Sequence, residues 1–357
     1  MTVVDTISQS AIPKVDYIVV PIKSISLIKD ESSTKQVAFK AMNIDGVDGI
    51  VHFTNRFINS FGTLFGVSNS TYNLFSYDEI VSRLIIIGKA DRVRIALQKN
   101  KDGSHTALSV IKPTKGYVES FDLWEMLAKM DVNMDDLTYK DGVVRSVHSP
   151  SYLGKSNIEI GGESIARKFC VDVPIDGYGS PSSYLMMFRE VCSNGAIAEG
   201  PVFRSTVNLG DTQGESIPSL RKYIESFNNE EGFHILKSRL ESAHSTTASI
   251  NEFIKLSKAL PDNNFIKTTL ENLAGRDIVE NYGLVNLDQL SYKKKHLLPC
   301  KCSVMDLINV ASEVATHKTD LGNKKVSTFI GAILSSEFDL EGADFGDNNQ
   351  SKDFYIN

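Results

Sequence analysis

The chain has 357 residues, 41% of them hydrophobic, and a formal charge of −6, which is enough material to fill the core of one large domain or two ordinary ones. Its apolar runs fall far short of the roughly 20 residues that a membrane-spanning helix needs, and its first residues lack the pattern of a secretory signal. Four cysteines are too few for a secreted disulfide framework. The composition therefore predicts a cytoplasmic protein with reduced thiols and no membrane partner.

Strands and helices are predicted in turn along the first part of the chain. Residues 1–15 are mostly polar and are expected to be a mobile N-terminus. Residues 16–28 and 35–44 have the apolar patterns of strands. Aromatic side chains at helical spacing predict a helix across residues 53–65, and residues 77–87 predict a second one.

Two hairpins and a helix follow. Residues 93–97 and 106–111 are apolar runs on either side of a Lys- and Gly-containing turn, which indicates a hairpin. Residues 121–130 have the pattern of a helix. Residues 137–147 contain Asp141-Gly142 between apolar runs, and this dipeptide is a strong hairpin signal.

The stretch from Arg167 to Gly210 is the most locally specified part of the chain. Alternating apolar residues predict a strand over residues 169–175, and two glycines after Asp176 predict a sharp turn. Ser180 and Pro181 resemble a helix cap and first helical residue, so a helix is predicted from Pro181 to Asn194-Gly195. Apolar residues between 197 and 207 then predict a returning strand that is broken near Gly200-Pro201.

Helical periodicity dominates from residue 216, with predicted helices at residues 220–227, 233–240 and 250–256. These elements predict an α+β fold in which a mainly antiparallel sheet is packed by helices and is followed by a helical C-terminal part. The predicted organisation is an α+β domain over residues 16–215, a helical part packed on it over 216–336, and a flexible acidic tail over 337–357.

Acidic residues are concentrated in that tail. From residue 337 onward six carboxylates stand against one lysine, a net −5, and subtracting this from the total of −6 leaves the rest of the chain near −1. A nearly neutral body can carry a local basic face, which keeps nucleic acid among the candidate partners. Single-stranded DNA-binding proteins often carry a disordered acidic tail with an apolar end, and this tail ends in DFYIN.

Three short motifs resemble a known family. The segment 188–195, FREVCSNG, is similar to the RxxCxNG helix end of the phage/plasmid-like family catalogued as domain of unknown function 932. Residues 53–67 resemble its N-terminal aromatic helix, and residues 305–317 resemble its C-terminal LLNAxTExxxH helix. Val310 and Ser312 depart from that last motif, where the family more often has alanine and threonine. The resemblance implies a protein of phages, prophages or plasmids whose activity is unassigned.

The turn after the central strand is one candidate binding site. A helix that begins at Pro181 would place Ser180, Ser182 and Ser183 at its N-terminus, where backbone N–H groups bind phosphate. An ordinary capping turn explains the same residues. The phosphate-binding fingerprint G-x-x-x-x-G-K-[ST] does not occur in the sequence.

Basic residues with aromatic neighbours are the second candidate. Proteins that bind single strands combine cations, which follow the phosphate backbone, with aromatic rings that stack on bases. Solvated surface side chains explain the same residues without a function. The nucleic-acid-binding candidates are Arg145, Arg167, Lys168, Tyr178, Ser180, Ser182, Arg189, Arg204, Lys293, Lys294 and Lys295.

A metal site and a catalytic site are both less favoured. His296, Cys300, Cys302 and His317 offer donors that zinc accepts, but the C-x-C spacing without a second C-x-x-C favours buried or idle thiols. Cys192 lies on the apolar face of its predicted helix, which favours packing over reactivity. No cofactor is predicted, and we favour a protein that is not an enzyme.

The sequence thus leads us to expect a phage or mobile-element protein that binds single-stranded DNA, as an annealing or recombination accessory. The alternative is a virion-associated or assembly protein that makes only protein contacts. The acidic tail offers a route to other phage proteins, and the interpretation allows a homo-oligomer.

Overall fold

The structure is a computed structural model, and its described residues form two compact units that are each built from three segments of the chain. The first unit comprises residues 1–147, 171–182 and 206–225, and the second comprises 148–170, 183–205 and 226–357. Helices and antiparallel sheets are present together, so the predicted α+β class is confirmed. The structure describes residues 12–29, 39–68, 70–71, 74–86, 92–130, 137–150, 157–160, 163–189, 194–198, 203–207, 215–259, 268, 272–273, 275, 299–317 and 323–335.

A six-stranded sheet forms the centre of the first unit. Its order is β1-β5-β6-β4-β3-β2, and neighbouring strands are antiparallel except for the parallel pair β4–β6. The strands are β1 (Val15–Pro21), β2 (Ile25–Lys29), β3 (Phe39–Ile44), β4 (Val51–Phe53), β5 (Arg92–Lys99) and β6 (His105–Ile111). The predicted hairpin around residues 99–105 is confirmed as β5–β6.

This sheet must curl, because its two edge strands are joined by only three residues. A 3-10 helix, Ile22–Ser24, connects β1 to β2 although they lie at opposite edges of the sheet. The Ser24 hydroxyl donates to the Pro21 carbonyl at 2.7 Å and fixes this corner. The single strand predicted over residues 16–28 is therefore wrong, since the chain turns at Pro21 and starts a second strand.

Two helices, α1 (Asn55–Phe65) and α2 (Tyr77–Ile86), pack on one face of the curled sheet. Phe57, Phe61 and Phe65 recur every fourth residue of α1 and are all buried in the same apolar cluster as strand residues. Thr54 caps α1 by accepting from the Phe57 N–H at 3.3 Å. Both helices confirm the prediction.

The remaining elements of the first unit are α3 (Ser120–Lys129), β7 (Leu137–Lys140), β8 (Val143–His148), the end of β10 (Glu163–Pro174) and α4 (Ser216–Glu225). The β7–β8 hairpin turns at Asp141-Gly142 as predicted. Tyr139 of β7 bonds Gln98 of β5 at 2.5 Å, and the Ser109 hydroxyl of β6 donates to the Asp176 carbonyl at 2.6 Å. The first bond joins the central sheet to β7, and the second joins it to the turn that follows β10.

In its described residues, the second unit combines the first part of β10 with further strands and four helices. Its strands are β9 (Ile158–Ile160), β11 (Ser182–Arg189), β12 (Asn194–Ala198), β13 (Arg204–Thr206), β14 (Thr247–Ser249) and β15 (Pro299–Ser303). Its helices are α5 (Glu230–Ser245), α6 (Ile250–Ala259), α7 (Val304–His317) and α8 (Asn323–Ser335). Strand β9 pairs with β10, and both β12 and β13 pair with β11.

Aromatic stacking marks the core of the second unit. The rings of Phe169 and Phe227 stack with centroids 3.8 Å apart and planes 9° apart, and His148 lies against Phe169 with centroids 5.2 Å apart. Helices α7 and α8 contact each other and pack on β12. The helices predicted in residues 220–256 and 305–317 are all present.

The helix predicted from Pro181 to Asn194-Gly195 is wrong, because strands occupy both ends of that segment. Residues 182–189 form β11, which pairs with β12 so that Arg189 lies opposite Asn194. Ser182, Ser183, Leu185 and Met186 are all buried, and a strand buried on both faces lacks the alternation by which strands are recognised. Cys192 lies outside the described residues. The predicted return strand is present as two strands, β12 and β13.

Among the helices of the described ranges, none combines the length and apolar character that crossing a lipid bilayer requires.

Candidate nucleic-acid interface

The sharp turn after β10 is held by hydrogen bonds from helix α1 and from strand β6. Asp176 and Gly177 follow β10, and Gly177 has a left-handed backbone with φ of 73°. A Cβ atom at this glycine would lie 2.6 Å from Ile111 Cδ1 and 3.3 Å from Tyr117 Cβ. Only glycine combines this conformation with so close an approach, which explains the residue type at the turn.

A buried carboxylate anchors the turn to helix α1. Asp176 is fully buried, and Arg56 grips it through Nε to Oδ2 at 2.5 Å and Nη2 to Oδ1 at 3.0 Å. The Tyr178 backbone N–H donates to the same carboxylate at 3.0 Å, and Arg56 also donates to the Tyr178 carbonyl. A fork of this kind fixes both position and orientation, so α1 and the turn are held in one geometry.

The pKa of Asp176 is raised above its usual value. Burial is the largest cause, and the attraction of Arg56 opposes it without overcoming it. The cost of desolvating a buried ion pair commonly exceeds its Coulomb gain, so this pair is better understood as a geometric constraint than as a source of stability.

The loop between β6 and α3 runs beside the same turn. The Lys115 ammonium lies 3.5 Å from the Gly179 carbonyl, and burial lowers the pKa of Lys115 while Asp176 opposes that shift. Arg94 donates to the Lys115 carbonyl at 2.7 Å and to the Pro113 carbonyl, which holds the loop against β5. The Arg94 guanidinium lies 5.0 Å from the centre of the Tyr117 ring.

Tyr178 faces helix α1 from the other side of the turn. Its hydroxyl bonds Thr63 Oγ1 at 2.9 Å, and the Arg56 guanidinium lies 4.9 Å from the ring centre. Each of the two tyrosines is therefore paired with an arginine. We call the set Arg56, Arg94, Lys115, Tyr117, Tyr178 and Ser180 the turn surface.

The turn surface carries a small positive excess. Its three cations stand against the buried Asp176 and against Glu119, which hydrogen-bonds to Tyr117. Lys115 and Ser180 are exposed, whereas Tyr117 and Tyr178 are partly exposed. Cations beside partly exposed rings are the combination that binds single-stranded nucleic acid. The Tyr117 ring also packs on that of Tyr17, with centroids 3.8 Å apart.

Two of the predicted binding residues, Tyr178 and Ser180, lie on the turn surface. Arg145 is elsewhere in the first unit and is held by Asp172 through bonds of 2.6 and 2.8 Å. Ser182 is buried at the start of β11. The phosphate site postulated at a helix N-terminus lacks its basis, because β11 replaces that helix.

The other predicted binding residues belong to the second unit. Arg167 and Lys168 are adjacent on β10, so their side chains alternate between the two faces of the strand. Exposed Arg204 lies with its guanidinium 5.6 Å from the centre of the Tyr184 ring. Arg189 is the last residue of β11, and its side chain is not described; Lys293, Lys294 and Lys295 lie outside the described residues.

The four donors considered for zinc are only partly described. Cys300 and Cys302 are buried on β15, His317 is the last residue of α7, and His296 lies outside the described ranges. Within those ranges no group of three or more potential metal ligands is found.

Sequence reasoning missed Arg56, Arg94, Lys115 and Tyr117. Arg56 lies on a helix whose aromatic spacing indicates packing rather than binding, and Arg94 lies within a largely apolar strand. The loop segment Lys112-Pro-Thr-Lys-Gly-Tyr117 carried a usable signal, since two lysines and a tyrosine follow a buried strand directly. What the sequence could not give was the approach of this loop to a turn more than 60 residues away.

Comparison with known proteins gives no match to a family model, to a curated protein or to a solved structure.

Proposed function

We propose that the protein is a non-enzymatic nucleic-acid-binding protein that holds single-stranded DNA on the turn surface. The observation that carries the proposal is the position of Lys115, whose loop contacts both the Arg94–Tyr117 pair and the turn bearing Tyr178. A phosphate could pair with the exposed ammonium group of Lys115. Bases on either side would reach the partly exposed tyrosine rings.

The rigid setting of the turn surface supports the same proposal. If Arg56 moved away from Asp176, it would leave a buried carboxylate without its partner. Arg94 is fixed by hydrogen bonds to two carbonyls of the loop. Binding would therefore cost little ordering of these side chains, and Lys115 beside them is exposed to a ligand. Contacts to phosphate and ring faces favour no particular base, which suits an annealing or recombination accessory.

The biological setting remains part of the proposal. The motifs in residues 53–67, 188–195 and 305–317 resemble a phage/plasmid-like family, and that resemblance supports a phage or mobile-element protein acting in the host cytoplasm. The segment 188–195 departs from the helix expected there, because β11 and β12 lie at its two ends.

The experiment is a fluorescence-anisotropy titration of a labelled oligonucleotide at two salt concentrations, with Lys115→Glu and Lys129→Glu compared. Lys129 is the matched control because it is an exposed lysine of the same unit, paired with Glu125 on α3. Lys115→Glu should weaken binding at least tenfold and reduce the slope of log affinity against log salt by about 0.7, the value for one phosphate contact on a single strand. Lys129→Glu should change neither.

Two outcomes would contradict the proposal. One is a dissociation constant above about 10⁻⁴ M at low salt, which is weaker than ordinary non-specific binding. The other is an equal loss of affinity in both lysine variants, which would show that binding depends on the net charge of the protein and not on the position of Lys115.

A second candidate function, protein contact alone in a virion or assembly intermediate, is favoured by four exposed apolar side chains of the first unit. Ile50, Leu74, Ile86 and Phe121 are each more than half exposed. Stoichiometric presence of the protein in purified particles, together with absent oligonucleotide binding, would select this candidate.

A further inference from the structure

Strand β5 carries the basic face of the turn surface one step further along the sheet. Val93, Ile95 and Leu97 of this strand are buried in the apolar cluster on which helices α1 and α2 pack. Neighbouring residues of a strand point to opposite faces, so Arg92 and Arg94 both lie on the other face of the sheet. Arg94 belongs to the turn surface, and the Cα atom of Arg92 lies about 6.4–6.8 Å beyond that of Arg94.

Strand β1 supplies the neighbours of these two arginines. In the antiparallel register Arg94 lies opposite Val19 and Arg92 lies opposite Pro21, and residues directly opposite each other share a face. Arg92 Nη2 donates to the Val19 carbonyl at 3.1 Å, which holds the guanidinium toward β1. Arg92 is exposed, and Val19 is 39% exposed. An accessible cation and an accessible apolar side chain are therefore adjacent at this end of the sheet.

Arg94 connects this end of the sheet to the turn surface. Its guanidinium donates to the Lys115 carbonyl at 2.7 Å and lies 5.0 Å from the centre of the Tyr117 ring. That ring in turn packs on Tyr17 of β1. Lys115, Tyr117 and Arg92 are thus all neighbours of Arg94. A ligand that contacts Lys115 and the Tyr117 ring can reach Arg92 without leaving this face of the first unit.

The charge of these strands favours an anion at Arg92. Strands β5 (RVRIALQK) and β6 (HTALSVI) contain no acidic residue. The one carboxylate of β1 is Asp16, which lies opposite Leu97, toward the other end of the strand pair, and is paired with Lys14 at 2.8 Å. Among the described carboxylates, none forms an ion pair with Arg92. A phosphate at Arg92 would therefore not compete with a carboxylate described in the structure.

We infer that a single strand held on the turn surface continues across β5 toward β1, where Arg92 binds a second phosphate and Val19 contacts the adjoining nucleotide. This inference rests on the proposed function and extends it, because the ligand is then an oligonucleotide long enough to place different phosphates at Lys115 and at Arg92. A guanidinium has five N–H donors, and the Val19 carbonyl accepts from only one of its nitrogens. The remaining donors suit the oxygens of a phosphate.

The test measures the anisotropy of a labelled oligothymidylate of about 16 nucleotides, the upper end of common site sizes, over a series of salt concentrations. Arg92→Ala should weaken binding about threefold, as the loss of an exposed ion pair does, and should reduce the slope of log affinity against log salt by about 0.7. Arg92→Lys keeps the charge and should keep the slope. Arg92→Ala combined with Lys115→Glu should reduce the slope by about 1.4, because the two cations contact different phosphates.

Arg83→Ala is the matched control, because Arg83 is an exposed arginine of helix α2, which packs on the opposite face of the sheet. This variant should change neither the affinity nor the slope. Val19→Glu is a second variant that keeps Arg92 and places a carboxylate beside it, where it competes with a phosphate. Val19→Glu should weaken binding at least as much as Arg92→Ala. Thermal unfolding of each variant separates lost binding from lost folding.

The outcomes separate this inference from the proposed function. Unchanged affinity and slope in Arg92→Ala, beside the expected loss in Lys115→Glu, would overturn the inference and leave the proposed function standing. A double variant whose slope falls no further than that of Lys115→Glu would also overturn it, since both cations would then serve one phosphate. So would equal losses in Arg92→Ala and Arg83→Ala, which would show an effect of net charge. Unchanged binding in Lys115→Glu would contradict the proposed function itself, and the inference with it.

Discussion

Arg56 and Asp176 are joined by two hydrogen bonds across 120 residues of sequence, one of 2.5 Å and one of 3.0 Å. The Asp176 side chain is wholly buried, while that of Arg56 is about a quarter exposed. The pair connects helix α1 to the turn after β10 and thereby sets the position of Tyr178. Stability and binding at this turn should both depend on it.

Removing the buried carboxylate should destabilise the first unit strongly. Asp176→Ala leaves the Arg56 charge without its partner, and breaking a buried pair in this way costs about 3 kcal/mol. The matched control is Asp172→Ala, which breaks the more exposed Arg145–Asp172 pair and should cost about 1 kcal/mol. Urea unfolding of both variants at neutral pH measures the difference, and equal losses would contradict the assignment of Asp176 as the anchor.

The turn glycines should differ in their tolerance of alanine. Gly177→Ala adds a Cβ 2.6 Å from Ile111 Cδ1 at a φ of 73°, so it combines a clash with backbone strain. At Gly179 the φ is 96° and the nearest atom would be 3.9 Å away, so alanine there adds strain alone, about 1–2 kcal/mol. Thermal unfolding should show the larger loss for Gly177→Ala. An equal loss would indicate that the approach of Ile111 is relieved by a small rotation.

Acid should destabilise the second unit through His148. Burial lowers the pKa of His148 to about 4 from its ordinary 6.5, so between these values the unfolded chain binds one more proton than the folded chain. Stability therefore falls as the pH falls from 7 to 5, by about 2 kcal/mol for one such group. His148→Phe keeps a ring against Phe169 and should remove this part of the pH dependence in urea unfolding. His234→Gln, at an exposed position of α5, should retain it.

Elements with a regular period were predictable from the sequence. Phe57, Phe61 and Phe65 recur at helical spacing and predicted α1. The dipeptide Asp141-Gly142 predicted the β7–β8 hairpin, because only a few residues adopt the backbone of such a turn. In both cases the deciding interaction is local, so a single sequence contains it.

The failure at residues 181–194 has a definite physical cause. The apolar run around Leu185 and Met186 fits a helix or a strand buried on both faces, and local spacing does not separate the two. The pairing of β11 with β10 and β12 decides between them, and that information lies in distant segments. The turn surface was hidden for the same reason, since Arg56, Lys115 and Tyr178 meet only in the folded first unit.

If the turn surface binds single strands, the ring of Tyr178 should matter more than its hydroxyl. Tyr178→Ala removes the stacking surface, which is worth about 1–3 kcal/mol per base, so affinity for a labelled oligonucleotide should fall by about tenfold or more. Tyr178→Phe keeps the ring, removes the hydroxyl's bonds to Thr63 Oγ1 and to the Asn59 carbonyl, and should bind within about twofold of the unmodified chain. Thermal unfolding of both variants separates lost binding from lost folding, and equal affinities would argue against stacking.

The three-segment make-up of each unit has a consequence for synthesis on the ribosome. The first unit takes its last segment from residues 206–225, so it cannot be completed until well over half of the chain has been translated. Strand β10 begins in the second unit and ends in the first, which means that a cut on either side of it removes a strand from one of them. Neither unit can be obtained as a continuous fragment, and expression trials should retain the chain through both.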